Sequence, residues 1–306
     1  MAKKPKPKNP ADFITPLHMN GLTGRMLHVP SPKKREILLV YGHHASIERM
    51  LGVAEDLSQY GNVTLPDLPG FGGMQSFYKI GLHPTLDNFA DYLASFVKLR
   101  YRGKRVRIFA MSFGFVVVTK MLQRHPDLAK KVDLLVSVVG FTHKEDFKFK
   151  RRNYLLMRNV AWFFSGRFSA WFGRHIVLRS LFIRLAYRAV ADKHVKLKDV
   201  DIEEREKRIN FEIGLWQMNE VRTYMKTSLI MFNLDLCDKQ IKLPVYHISV
   251  EPDRYLDNNI VEQHMRVIFT GFTHIKSKMS GHAPTVIADA AEASHFIPPK
   301  IRKLLS

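Results

Sequence analysis

The fold of this chain is decided at residues 106–124, which read VRIFAMSFGFVVVTKMLQR. Val106–Phe109 is an apolar run of strand length, and Phe113–Arg124 has the length and composition of a helix. Between them lies Ser112, with the small residues Ala110 and Gly114 two positions before and after it. A sharp turn from a strand into a helix needs small residues at those positions, and it exposes the side chain at its tip. The pattern predicts a nucleophile elbow of the form Ala-x-Ser-x-Gly; the alternative is a tight turn with an incidental serine.

Strands and helices alternate on both sides of this turn. Apolar runs predict further strands at Ile37–Tyr41, Val63–Leu65, Val132–Val139, Val245–Val250 and Thr273–Met279. Helical spacing predicts helices at Ser46–Tyr60, Thr85–Arg102 and Ala283–Phe296. Such alternation is typical of an α/β fold, with a mostly parallel central sheet flanked by helices.

The alternation stops between Gly140 and Leu243, where the composition is helical throughout. We therefore predict a helical cap or lid, residues 141–241, inserted into a core formed by residues 21–140 and 242–306. Residues 1–20 are rich in proline and lysine and are predicted to form a basic, flexible tail.

A nucleophilic hydroxyl needs a base to take its proton, and an imidazole base needs a carboxylate to orient it. Two predicted strands end in suitable residues: Asp253 follows Val245–Val250, and His282 follows Thr273–Met279. The carboxyl ends of parallel strands meet at one edge of a sheet, where open α/β sheets bind ligands. Three other acids could serve instead: Asp257, Glu145 and Asp146. The other candidate histidines are His274 and His295, but His282 alone lies between a strand and the start of a helix.

These residues make the chain resemble the α/β-hydrolase fold superfamily. The resemblance rests on the elbow, on the chain order Ser-Asp-His, on YGHH at residues 41–44 and on DLPGFG at residues 67–72. It implies that Ser112 is the nucleophile, His282 the base and Asp253 the orienting acid. It also implies that the backbone N–H groups of His43 and Phe113 form the oxyanion hole. Ala110 stands where glycine is commoner in the family, and Tyr41 stands where histidine is common.

The resemblance implies a reaction as well. Dehalogenases and epoxide hydrolases of this superfamily carry aspartate at the elbow, whereas this chain has Ser112. A serine nucleophile favours transfer of an acyl group to water, from an apolar small-molecule ester, a thioester or a lactone. We expect no cofactor and no metal. The alternative is a non-catalytic member of the fold, whose basic aromatic cap docks on a membrane or an acidic partner.

The net charge of +20 is concentrated rather than spread along the 306 residues. Lysines crowd the first eight residues, and the segment 147–191 holds no Asp or Glu. Its cations are Lys148, Lys150, Arg151, Arg152, Arg158, Arg167, Arg174, Arg179, Arg184 and Arg188. Because aromatic residues interleave with them, this part of the cap could bind an anionic membrane surface. The alternative is a cap whose apolar faces pack over the site while its arginines extend into solvent. No nucleic-acid motif is present.

The lone Cys237 excludes an internal disulfide and points to a reducing compartment. Since no apolar run is long enough for a membrane span, we predict a cytoplasmic protein, peripheral at a membrane if the cap docks there.

Overall fold

A computed structural model describes residues 10–190, 197, 201–277, 279, 282, 293 and 295–306, and an eight-stranded sheet lies at its centre. The strands are β1 (Ile14–Met19), β2 (Leu22–Val29), β3 (Glu36–Val40), β4 (Asn62–Pro66), β5 (Val106–Met111), β6 (Val132–Val138), β7 (Ile241–Ser249) and β8 (Phe269–Lys276). Their order across the sheet is β1-β2-β4-β3-β5-β6-β7-β8. Only β2 pairs antiparallel with its neighbours, β1 and β4; the other pairings are parallel. The predicted fold class is confirmed.

Helices cover both faces of the sheet, which is why the central strand β3 is buried along its whole length. In the core these are α1 (Leu51–Leu57), α2 (Leu86–Arg100), α3 (Phe113–Arg124), α4 (Pro126–Ala129), α10 (Asn258–Ile268) and a last helix, Pro299–Leu305. Between β6 and β7 lie α5 (Arg151–Phe164), α6 (Arg167–Phe172), α7 (Ser180–Val190), α8 (Ile202–Met218) and α9 (Val221–Phe232). The helix predicted at 283–296 falls mostly outside the described residues.

The prediction of a tail through residue 20 is wrong for residues 14–19, which form the edge strand β1. β1 pairs with β2 in register Met19↔Leu22, so that only Asn20 and Gly21 connect the two strands. Both connecting residues have positive φ, 54° and 76°, which is the geometry of a type I′ hairpin turn. The Asn-Gly pair therefore fixes the register of a hairpin that extends the sheet beyond β4.

Helix α9 contacts the loops at the carboxyl edge of the sheet, and α5 and α6 pack against α9. The Thr227 hydroxyl on α9 is 2.9 Å from His43 Nε2, in the loop that follows β3. The Glu220 amide, just before α9, donates to the carbonyl of Gly70 in the loop that follows β4 (2.9 Å). The inserted helices thus contact the loops that flank the end of β5, where Ser112 lies. None of the helices in the described part of the chain has the length and apolarity to cross a bilayer.

Candidate active site

Ser112 occupies a strained turn between β5 and α3. Its φ of 49° and ψ of −123° lie outside the regions that L-residues favour, at a cost of about 1–3 kcal/mol. The Ser112 amide donates to the carbonyl of Val138 (3.0 Å), which holds the turn in place. A Cβ on Gly114 would lie 2.3 Å from the carbonyl oxygen of Tyr41, so this position accepts no side chain without movement. The predicted small residue after the serine is therefore a steric requirement.

The elbow accommodates a large residue, Phe115, directly after Gly114. The Phe115 ring is fully buried, and Gly140, after β6, provides the space for it. A Cβ on Gly140 would lie 2.6 Å from that ring. The bulky elbow residue thus depends on a glycine that follows the neighbouring strand.

His282 joins Ser112 to a buried carboxylate. Its Nε2 lies 3.1 Å from Ser112 Oγ, and its Nδ1 lies 2.8 Å from Asp253 Oδ2. The other Asp253 oxygen accepts the amides of Tyr255 (2.7 Å) and Leu256 (3.1 Å). Burial alone would raise the pKa of Asp253. The hydrogen bond from His282, the attraction to a protonated imidazole and the two amides outweigh burial, so the pKa of Asp253 is lowered. An ionised Asp253 accepts the proton of Nδ1 and so favours the tautomer of His282 whose Nε2 can accept a proton from Ser112.

The other candidate acids are engaged elsewhere. Asp257 caps the start of α10, where its Oδ1 accepts the amides of the second and third helical residues. Asp146 is buried, and its Oδ1 lies 2.6 Å from Nδ1 of His264. Glu145 is exposed, with its carboxylate 3.9 Å from Nδ1 of His143. Asp253 is the acid that the structure brings to His282.

The other candidate histidines also have different neighbours. Nε2 of His274, on β8, lies 2.6 Å from the hydroxyl of Ser249 on β7. The His295 carbonyl accepts a hydrogen bond from the hydroxyl of Ser277 (2.8 Å). His282 is the candidate that the structure places beside Ser112.

The two amides predicted for the oxyanion hole belong to Phe113, which follows Ser112, and to His43, in a loop that passes beside it. Phe113 is the first residue of α3, so its amide has no acceptor within the helix. The loop carrying His43 passes so close that a Cβ on Gly42 would lie 2.8 Å from Ser112 Cβ. Within the described residues, neither amide donates a hydrogen bond. Two free donors beside a nucleophile are what a developing oxyanion requires.

The His43 side chain fixes this loop to α9. Its Nε2 lies 2.9 Å from the Thr227 hydroxyl and 3.2 Å from the Tyr224 carbonyl, and its ring centroid lies 3.9 Å from that of Tyr224. Burial, aided by the charge of His44 and opposed by the Tyr224 carbonyl, lowers the pKa of His43 to about 3. A neutral His43 positions the loop without bringing charge to the site.

Tyr41, where the family commonly has histidine, supports the loop after β4. Its hydroxyl donates to Oδ1 of the buried Asp67 (2.8 Å) and accepts the amide of Leu68 (3.0 Å). Asp67 Oδ2 accepts from Arg25 Nε (2.9 Å) and from the Gly73 amide (2.8 Å). Burial raises the pKa of Asp67, although Arg25, the amide and the hydroxyl all favour its charged form. This network positions the DLPGFG loop, a role that the motif alone did not reveal.

A buried ion pair joins α8 to the loop after β3. Glu212 on α8 pairs with Arg49 through one oxygen and lies 3.0 Å from His44 Nε2 through the other. Arg49 in turn donates to the His44 carbonyl (3.1 Å). The pair thus connects α8 to the residue that follows His43.

Breaking this pair should destabilise the protein. Glu212→Gln leaves the buried Arg49 charge unpaired, so we expect the free energy of unfolding in urea to fall by about 3 kcal/mol. The matched control is Glu262→Gln, which removes a surface pair with Arg266 on α10 and should cost less than about 1 kcal/mol. Equal losses in the two variants would show that the contact does not anchor α8.

Two buried histidines predict a loss of stability in mild acid. Burial, with the charge of His274 adding to it and Asp253 opposing it, lowers the pKa of His247 to about 3, the same value as for His43. An unfolded histidine has a pKa near 6.5, so between these values only the unfolded chain binds the proton and stability falls as pH falls. At pH 5 each histidine should cost about 2 kcal/mol relative to neutral pH.

The measurement is the free energy of unfolding against pH from 5 to 7. In His247→Gln the free energy of unfolding should fall less steeply with pH, by the contribution of one histidine. This holds whatever the stability of the variant at pH 7. A slope equal to that of the unmodified protein would contradict the low pKa.

One group among the described residues brings possible metal ligands together: His143, Glu145 and His264, with ligand atoms within 4.8 Å of one another. Each imidazole already uses Nδ1 in a hydrogen bond, His264 to Asp146 (2.6 Å) and His143 to the Glu145 amide (3.2 Å). These bonds account for the ring positions, and the group shares no residue with the Ser112 site.

Known structures share this architecture, although no protein-family model and no curated protein sequence matches the chain. It is similar to the thermophilic esterase from Thermogutta terrifontis at 16% identity and a TM-score of 0.61, covering 95% of this chain and 96% of that one. It is similar to the enol-lactonase from Burkholderia xenovorans LB400 at 12% identity and a TM-score of 0.64, covering 95% and 100%. The similarity to the N-formylmaleamic acid deformylase from Pseudomonas putida S16 is 17% identity and a TM-score of 0.62, covering 92% and 98%. The chain therefore has the α/β-hydrolase fold.

Proposed function

We propose that this protein is a serine hydrolase that cleaves a carboxylic ester with an apolar acyl or leaving group; a thioester or lactone would follow the same chemistry. The observation that carries the proposal is the hydrogen-bonded series from Ser112 Oγ through His282 to the buried carboxylate of Asp253. The strained Ser112 backbone supports it, because such strain is concentrated at functional sites.

In the proposed mechanism, His282 Nε2 accepts the proton as Ser112 Oγ attacks the carbonyl carbon of the ester. The carbonyl π electrons move to oxygen, and the amides of His43 and Phe113 stabilise this oxyanion. The tetrahedral intermediate collapses, the bond to the leaving oxygen breaks, and that oxygen takes the proton from His282. Water, deprotonated by His282, then attacks the acyl-enzyme and releases the acid with regeneration of Ser112. Asp253 stabilises the imidazolium in both halves of the reaction.

The surroundings of the site support an apolar substrate portion. Around His43 the ring centroids of Phe71 and Phe113 lie 5.6 and 5.9 Å away, and Tyr255 packs 5.4 Å from the His282 ring. Phe71 and Phe113 are buried behind the loop, whereas Tyr255 is 39% exposed, and an accessible aromatic ring beside His282 favours an apolar substrate portion over a charged one. An esterase and an enol-lactonase among the similar structures are consistent with ester chemistry on this fold.

A panel of p-nitrophenyl esters of increasing acyl length tests the proposal. We expect turnover by the folded protein, with kcat/KM rising as the acyl chain lengthens from acetate. A matched thioester and a lactone extend the panel to the related bonds. If the folded protein hydrolyses none of these substrates, the proposal is wrong and a non-catalytic role is favoured.

A further inference from the structure

The first inserted helices expose an unusual number of large apolar side chains. We call residues 148–172, which comprise α5 and α6, the α5–α6 surface. Trp162 and Phe168 are 70% and 79% exposed, and Leu156 is 65% exposed. Phe163, Trp171 and Phe172 are exposed beside them, and the Phe168 and Trp171 rings stack at 6.3 Å. Isolated exposed apolar residues are ordinary, but a contiguous apolar surface indicates a binding site.

The buried side of α5 is already occupied, so these residues are not a misplaced core face. Ala161 is buried, and the Tyr154 hydroxyl donates to the Phe232 carbonyl at the end of α9 (2.7 Å). The exposed side chains project from the rest of α5 and from α6.

The same surface carries six cations. Within the described part of the chain, none of its six cations pairs with an acid. They are Lys148, Lys150, Arg151, Arg152, Arg158 and Arg167. By contrast, Arg184 and Arg188 on α7 both pair with Glu206 of α8, at 2.5 and 2.8 Å. Glu206 thus neutralises these two arginines of α7, and the described residues hold no such partner for the cations of α5 and α6.

We propose that the α5–α6 surface binds a bilayer rich in anionic phospholipid, with its aromatic side chains at the depth of the headgroups and its cations against the phosphates. Tryptophan is favoured at that depth, and surface cations add attraction to anionic lipid. A second copy of the chain is a poorer fit, because the segment 147–191 holds no acid and two such surfaces would set cations against cations. The proposal concerns binding and does not depend on catalysis at Ser112.

Flotation of the full chain with vesicles tests it. We expect binding to phosphatidylcholine vesicles that contain phosphatidylglycerol, weaker binding without it, and release by high salt. At about fivefold per cation, the triple variant Arg151→Ser, Arg152→Ser, Arg158→Ser should bind anionic vesicles roughly 100-fold more weakly. Trp162→Ser combined with Phe168→Ser should lose a similar factor, with less dependence on salt, because it removes apolar contact and no charge.

The matched charge control removes three exposed cations elsewhere, by Lys98→Ser, Arg102→Ser and Lys130→Ser. This control has the same net charge as the triple arginine variant, and its affinity for anionic vesicles should stay within about twofold of that of the unmodified protein. The apolar control, Leu99→Ser with Val267→Ser, replaces exposed side chains outside the surface. The proposal is overturned if the protein binds no anionic vesicle, if the controls lose as much as the cap variants, or if Trp162→Ser with Phe168→Ser instead abolishes a dimer that forms without lipid.

Discussion

Ser112→Ala is expected to lower ester turnover by roughly 10⁴- to 10⁶-fold, because no other group can form the acyl-enzyme. The fold should persist, since alanine removes only the hydroxyl from a turn that Gly42, Gly114 and the Val138 carbonyl hold in place. The measurement is kcat/KM on the best aryl ester, together with the thermal midpoint.

The matched control for this variant is Ser95→Ala on α2, where the hydroxyl donates to the Asp91 carbonyl. It should change turnover less than about twofold, since Ser95 makes no contact with the candidate site. Retention of most activity by Ser112→Ala would exclude this serine as the nucleophile.

Asp253→Asn should lower kcat by about 10⁴-fold with little change in KM. The amide would accept the Tyr255 and Leu256 hydrogen bonds but could not stabilise an imidazolium, and it would favour the wrong tautomer of His282. The matched control is Asp257→Asn, four residues away, where asparagine still caps α10 and activity should remain within about threefold.

The two variants are compared by kcat and KM on one ester. If Asp257→Asn abolishes turnover while Asp253→Asn retains it, the assignment of the acid is wrong. A similar comparison with Asp146→Asn tests the remaining buried candidate, whose carboxylate contacts His264.

The arrangement around Ser112 could be predicted because each part leaves a local pattern. The elbow is a strand, a small–x–Ser–x–Gly turn and a helix in one short stretch, and Asp253 and His282 each come a few residues after a strand. Parallel strands bring those ends to one edge of the sheet, so their proximity follows from topology. Which of several acids contacts His282 does not follow, because it depends on how the loop after β7 folds: Asp253 faces the histidine while Asp257 turns to cap α10.

The hairpin of β1 and β2 was missed although a local pattern existed. Its strands are half-exposed at the edge of the sheet, so they lack the continuous apolar run that marks β3 or β6. Asn20-Gly21, a frequent two-residue hairpin turn, was the available indication.

The inserted helices were predicted as a region but not in detail. Helix α8 runs through Gly214 and ends at Met218, and the Glu220 carboxylate caps α9 by accepting the amides of Arg222 and Thr223. Glu212 and Arg49 are 163 positions apart in the sequence, and a local pattern cannot predict a contact between residues so far apart. Glu212 stands between the apolar residues Phe211 and Ile213, and this position of an acid was the one indication of the contact in the sequence.

The most direct test of the account is labelling of the folded protein with a fluorophosphonate, with the modified residue located by mass spectrometry. The probe phosphonylates a serine only where a base and an oxyanion site are assembled around it. The account predicts one adduct, on Ser112, that is lost in His282→Ala and strongly slowed in Asp253→Asn. Absence of an adduct on Ser112, with and without anionic vesicles, would contradict a working serine nucleophile at this site.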